Sequence, residues 1–322
     1  MTTAISYNYS TQMQHEQHQS IKVYLIQQFL RLNIHCTLMV DAAILRRRNM
    51  KPEIVNVLER LKMVKVPVAP DYLTDDFFPW LIPLNLALPD DVQILDESVR
   101  LALHEINPQK IKRGEGRLIS GWLASNSSID KIALHLGKSA LQCNDGKNIL
   151  LRYYDPAVAP LLWNVLDNWQ QRRLLGPVTN WFSIDGDGQI IKRATIGQQV
   201  LQLSHSISLS PEEWESIKMI AIVNAILCEY RLTHINKSRL DELTVMKNVL
   251  PALRRAGEYS FQSKGDLIAY GMHALTISPE FDRHPHISRL LVSQRSKKNA
   301  SYLNAVASVS ESDWEKIRLG KN

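Results

Sequence analysis

The chain is poor in the residues and runs that would assign it quickly. It has 3 cysteines in 322 residues, Cys36, Cys143 and Cys228, odd in number, far apart and set in apolar segments. That pattern excludes a disulfide framework and the paired spacing of a zinc site, and predicts three buried, reduced thiols. No apolar run is long enough to span a membrane: the best candidate, residues 219–228, is short and holds Asn224, so it reads as a core helix. No secretory leader is expected. Residues 1–20 are rich in Thr, Gln, Ser and His without an apolar stretch, which predicts a disordered polar tail on a cytoplasmic chain.

Neither sign of charge dominates. Lys+Arg number 38 against Asp+Glu 32, a net charge of +6. The basic pairs and triplets at 46–48, 172–173, 254–255 and 297–298 are scattered, whereas a nucleic-acid binder gathers its cations on one face or in one run. No nucleic-acid partner and no membrane insertion are therefore expected. Hydrophobic residues make up 45% and charged residues 22%, ordinary globular usage on a length that allows one large domain or two modest ones.

Catalytic and cofactor signatures are missing as well: no G-x-S-x-G, no H-E-x-x-H, no P-loop and no G-x-G-x-x-G after a strand. Asp185-Gly186-Asp187-Gly188 resembles the start of a calcium loop. The sixth and twelfth positions, however, hold Ile190 and Ile196 where glycine and an acid are needed. His284-Pro285-His286, with Asp282 and His273 nearby in sequence, could hold a metal, but no acidic or thiol cluster completes the set and a surface loop is the plainer reading. No cofactor and no metal are assigned.

What is present is a legible order of elements. Residues 21–32 have helical apolar spacing, 36–40 form a short apolar run suited to a buried strand, and Pro52 opens a helix with Ile54, Val57, Leu58 and Leu61 on one stripe. Residues 64–69, cut by Pro67, read as an edge strand or extended segment, while the apolar stretch 80–84, interrupted by Pro79 and Pro83, is ambiguous. A helix over 91–105, a strand over 117–123 and a helix capped by Ser127 or Ser128 follow. Asp145-Gly146 turns the chain into a strand expected over 149–154. Asp155-Pro156 then pairs a capping acid with an N1 proline. The helix they predict has Val158, Leu161, Leu162, Val165, Leu166 and Trp169 on its inward stripe, and Gly176-Pro177 stops it. Residues 178–184 and 189–193 form a hairpin; from about residue 208 the pattern is helical, opened by Ser210-Pro211-Glu212-Glu213 and echoed at 310–315. The fold class expected is α+β: a disordered tail over 1–20, a mixed α/β lobe with a small sheet flanked by helices over 21–205, and an all-helical lobe over 206–322.

Two groups of residues invite a functional reading. Asp41, His135 and Asp155 all lie near expected strand ends, where open α/β sheets build sites, and could form an acid–base group. Helix capping for Asp155 and packing beside the sheet for His135 are the plainer reading, since no nucleophile or cofactor motif accompanies them. Arg152 sits inside an apolar strand and needs a partner, because an unpaired buried charge is costly. Asp155 is the obvious one, and the pair would lock the strand-to-helix corner.

This corner resembles the signature region of the type VI secretion effector chaperones, also called adaptor proteins. Their pattern is an apolar-Arg-aromatic-Tyr/Phe-Asp-Pro corner, a Gly-Pro and a Trp-containing strand; Arg152, Tyr154, Asp155, Pro156, Gly176, Pro177 and Trp181 match it. Upstream, Leu38-Met39-Val40-Asp41-Ala42-Ala43 is similar to the family's early strand, and Gly121-Trp122-Leu123-Ala124-Ser125 with His135-Leu136 to its middle strand and next helix. Gly271, Phe281-Asp282 and Pro285 match more loosely, and Leu174-Leu175 stands where an aromatic pair is common. The resemblance implies a non-enzymatic cytoplasmic protein that binds a secreted toxic effector and helps load it onto the spike protein of the secretion apparatus. Trp163, Trp169, Trp181 and Tyr153 are candidate partner anchors, with Trp169 expected to pack inward. An acid–base enzyme and a basic nucleic-acid-binding module are the competing classes.

Overall fold

Apolar periodicity and capping residues become strands and helices over the described residues 2–47, 53–68, 77–195, 204–234, 240–294 and 300–320 of a computed structural model. In chain order the elements are α1 (Thr2–Leu32), β1 (His35–Val40), α2 (Glu53–Leu58), β2 (Val64–Lys65), β3 (Trp80–Leu84), α3 (Pro89–Glu105), α4 (Pro108–Lys112) and β4 (Ile119–Ser125). Then come α5 (Ile129–Ala140), β5 (Leu141–Asn144), β6 (Lys147–Leu150), α6 (Ala159–Trp163), α7 (Asn168–Leu175), β7 (Asn180–Ile184) and β8 (Ile190–Ala194). The remainder is helical: α8 (Pro211–Thr233), α9 (Glu242–Glu258), α10 (Lys264–Thr276), α11 (Pro285–Val292), α12 (Tyr302–Val306) and α13 (Glu311–Arg318). The class is α+β, as the sequence predicts. The chain divides into two units, Met1–Ala159 with Leu166–Ser208 and Pro160–Val165 with Leu209–Asn322, so the segment 160–165 groups with the helical part. No described helix is long and apolar enough to cross a membrane.

The first unit is built on an antiparallel sheet of order β2-β3-β1-β4-β7-β8. Its central strands are buried on both faces, β4 at all seven positions. Side-chain alternation therefore sends neighbouring aromatics to opposite sides. Trp122 and Phe182, paired across β4 and β7, face the helical layer that brings Leu25, Phe29, Leu95 and Val99. Phe29 meets Phe182 edge-on at 5.6 Å, and Trp122 Nε1 donates to Ser98 Oγ on α3 at 2.9 Å. Leu123 and Trp181, the next pair in register, point the other way. Gly121 lets β4 and β7 close: at φ +139 a side chain there would overlap the Phe182 carbonyl and Trp181 Nε1.

Several expectations change here. Strand β3 forms despite Pro83, because β2 pairs only with Leu81 and Trp80 and, among the described residues, no strand pairs with that stretch of β3 on that side, where a missing N–H is harmless. Helix α1 starts at Thr2, inside the stretch expected to be a disordered tail. Its inward stripe Ile21, Leu25, Phe29 continues backwards through polar residues that find partners: Gln17 donates to the Gly188 carbonyl at 2.8 Å and His18 meets Asp96 at 3.4 Å. In α2 the buried residues are Ile54, Val55 and Leu58, with Val57 exposed. Pro52 lies outside the described residues. Of the three thiols expected buried, Cys36 is buried, Cys228 is half-buried and Cys143 is exposed on the β5–β6 hairpin.

The second unit follows its capping signals. Ser210 and Glu213 form a reciprocal box at the start of α8, Ser210 N–H donating to Glu213 Oε2 at 2.7 Å and Glu213 N–H to Ser210 Oγ at 3.2 Å. At α13 Ser310 likewise accepts from the Asp313 N–H at 3.2 Å. Between them Tyr270, Phe281, Tyr302, Trp314 and Phe261 make an aromatic core, with Tyr270 and Tyr302 rings 4.9 Å apart. Gly271 on α10 lies against Ile226 of α8, where a larger residue would overlap the isoleucine.

Candidate functional site

The corner after β6 is a series of turns. The strand stops at Leu150, four residues earlier than the sequence predicts, because the backbone amides beyond it bond locally: Tyr153 N–H to Leu151 O at 2.8 Å and Asp155 N–H to Arg152 O at 3.0 Å. Asp155 does cap, but it caps a turn. Its Oδ1 accepts from Ala157 N–H at 2.9 Å, and α6 starts only at Ala159. The single long helix expected to Gly176 is split by a second start signal, Asp167, which forms a capping box with Gln170 (2.7 and 2.8 Å) and opens α7. The split takes Trp169 off the inward stripe and leaves it 44% exposed, with Arg173 stacked 4.7 Å over its ring.

Arg152 bonds first to Asp41, 111 residues away at the end of β1, through Nη2 and Asp41 Oδ2. Asp155 Oδ2 lies 3.5 Å from the same nitrogen, so the expected partner is the second one. The guanidinium also sits 6.0 Å over the Tyr154 ring. Asp41 is fully buried, and its N–H donates to Leu118 O at 2.8 Å. Its Oδ1 and the Arg152 Nε have no partner among the described residues. Burial pushes the Asp41 carboxyl up to about 6; Arg152 pulls against that rise and the charge of Asp155 adds to it. Burial opposes the charge on Arg152, yet the two carboxylates hold its pKa above the usual value.

The other motif residues are structural neighbours of this pair. Tyr153 is buried, donates to Leu136 O at 3.3 Å and meets Trp181 edge-on at 6.0 Å. Trp181 Nε1 donates to Ser120 O at 3.2 Å. Both rings are too buried to serve as the partner anchors the sequence suggested. Pro177 O accepts from Ser125 Oγ at 2.7 Å, and Gly176 (φ +53) lies flat against His135, whose ring a side chain at 176 would overlap. His135 Nε2 donates to Leu174 O at 3.0 Å. Burial lowers its pKa to about 4, so it is neutral at pH 7.

The structure thus brings Asp41 and Asp155 together on Arg152 and places His135 with Leu174, Ser139 and His205. The acid–base group suggested by the sequence is not assembled. The metal candidate dissolves in the same way: Asp282 is bidentate to Arg255, His273 meets Tyr302 and Trp314, and Pro285 is the first residue of α11. Among the described residues no group of three His, Cys, Asp or Glu could hold a metal ion. One residue at the corner went unnoticed in the sequence. Arg117, buried ahead of β4, donates through Nη1 to Pro156 O at 3.1 Å and through Nη2 to Ile184 O. Its signal is the one that marked Arg152, an arginine beside an apolar strand.

No curated protein and no solved structure matches the chain. Residues 74–173, a span that includes His135, Arg152, Tyr154, Asp155 and Pro156 but not Asp41, Gly176, Pro177 or Trp181, match the sequence model of a family described as "Domain of unknown function (DUF4123)", which is associated with type VI secretion effector adaptors.

Proposed function

We infer that this chain is a non-enzymatic adaptor that binds a type VI secretion effector in the cytoplasm and helps load it onto the spike protein of the secretion apparatus. The observation that carries the reading is the match of residues 74–173 to a family associated with such adaptors, over a span that contains the Arg152 corner. The geometry supports it in a second way. Asp41, Arg152 and Asp155 pair with one another, Arg152 sits over the Tyr154 ring, and Trp181 bonds to backbone, so the motif holds the fold. The partners are then a cognate toxin and the spike protein, each needing a patch of about 800 Å².

Affinity capture of the tagged chain from its native host, with mass spectrometry of what it holds, tests the reading. A secreted effector or a spike protein is expected, and effector levels should fall when the chain is deleted. Recovery of neither sinks the adaptor role. Arg152→Ala should lose solubility and client together; a variant that stays fully folded yet releases its client would show that the corner is itself a contact surface.

A further inference from the structure

We propose that the exposed face formed by α5 and α7 docks an acidic segment of the client carrying an apolar anchor, a proposal that rests on the adaptor reading above. Helix α5 turns Lys131, Leu134 and Lys138 outward at i, i+3, i+7 spacing, opposite its buried Ile132, Ala133 and Leu136. Leu134 is 48% exposed. Helix α7 packs on α5 and adds Trp169, Arg172 and Arg173. Arg173 lies over the exposed Trp169 ring and donates to the carbonyls of Ser204 and, at 2.8 Å, Ser206.

The two helices converge electrostatically on His205. Burial first, and then the charges of Lys138 and Arg173, lower the pKa of that ring. Lys131 and Lys138 make no ion pair with a described residue. The acids on these helices lie at their N-terminal ends: Asp130 in the first turn of α5, and Asp167 accepting from the Gln170 N–H at 2.7 Å. The face therefore sets Lys131 and Lys138, which have no ion pair among the described residues, beside two exposed apolar side chains, Leu134 and Trp169. A partner that brings carboxylates to the rim and an apolar side chain to Trp169 and Leu134 complements both features of the face. Trp and Arg are the residue types that dominate such contacts. The apolar centre favours a protein over a nucleic acid, whose affinity draws on many phosphate contacts.

The test uses the full-length chain captured with its client from the native host, the client being identified by mass spectrometry. Lys131→Glu with Lys138→Glu, and separately Trp169→Ala, change exposed side chains, and unchanged circular dichroism and Tm confirm that they fold. A photo-crosslinking residue in place of Leu134 maps the contact. Client recovery is expected to fall at least about tenfold in both variants, with the crosslink in an Asp/Glu-rich segment of the client. If the wild-type chain holds its client and the variants hold it equally, the docking proposal is overturned and the adaptor reading stands. If the wild-type chain holds no client, the adaptor reading fails and the docking proposal falls with it. An oligo-dT strand that binds in a Lys131- and Lys138-dependent way and displaces the client would assign the face to nucleic acid and overturn the proposal.

Discussion

Each unit buries an aspartate against an arginine, and the two pairs are built differently. In the helical unit Arg255 forks onto Asp282, Nε to Oδ2 at 2.7 Å and Nη2 to Oδ1 at 2.8 Å, with Pro279 O at 2.6 Å as a further acceptor. Both carboxylate oxygens are used, which fixes α9 against the turn before α11. In the sheet unit one nitrogen of Arg152 serves two carboxylates, and Asp41 Oδ1 is left without a partner among the described residues. The first arrangement is a lock. The second holds two chain segments together while keeping a buried carboxyl whose pKa is raised to about 6. Similar residue pairs thus do different work: one satisfies both carboxylate oxygens, and the other leaves a carboxyl whose burial raises its pKa.

The largest effect should come from breaking the lock. Arg255→Ala strands the Asp282 carboxylate, only 1% exposed, and is expected to destabilise by about 3–5 kcal/mol in urea unfolding. A cost below that of Arg152→Ala would reverse the comparison. Next in size is a pH effect common to both units. His135 and His273 have folded pKa values lowered to about 4 by burial. Unfolding frees the rings to take up protons between there and their ordinary value of about 6.5, so stability rises with pH across that window. His135 alone contributes on the order of 3 kcal/mol, and His135→Gln should flatten the profile of unfolding free energy against pH.

Asp41 acts in the opposite direction. Its raised pKa means that the folded state keeps a proton which the unfolded state releases, so its contribution is full below about 4 and is lost as pH rises through 6. Arg152→Ala should accordingly cost about 2–3 kcal/mol at alkaline pH, where the abandoned carboxyl would ionise, and about 1 kcal/mol in mild acid. Equal costs in both buffers would remove the distinction between the two pairs. Gly176→Ala should destabilise by about 2 kcal/mol through its positive φ and its overlap with His135; a double-mutant cycle with His135→Ala should recover the overlap share alone. The smallest change is Asp155→Asn. It keeps the acceptor for Ala157 N–H and loses only a 3.5 Å partly exposed ion pair, so its Tm should move by less than about 1 kcal/mol implies. A larger shift would restore Asp155 as the main partner of Arg152.

Much of this molecule is written locally. Strands β1 and β4, the stripe of α5, the turn at Asp185 and the serine caps at 210 and 310 lie where short-range patterns put them, since each depends on residues within a few positions. The misreadings have a common origin. Pro83 looked disruptive because its strand's open side depends on how far β2 reaches. The stripe running from Val158 to Trp169 looked continuous because apolar spacing persists across a break that Asp167 imposes. The polar residues before Ile21 looked disordered because their partners, Asp96 and Gly188, are distant in sequence.

The candidate site divides along the same line. The sequence by itself determined that Arg152 needs a carboxylate, that Asp155 is a capping acid, and that Gly176-Pro177 ends a helix; each follows from the chemistry of adjacent residues. Only the tertiary structure decided that Asp41 is the first partner, that Arg117 holds Pro156 and Ile184, that His135 rests on Gly176, and that Trp169 faces outward. Those outcomes depend on which strands become neighbours, and strand order is fixed by the burial of the whole sheet, which no short stretch of sequence encodes.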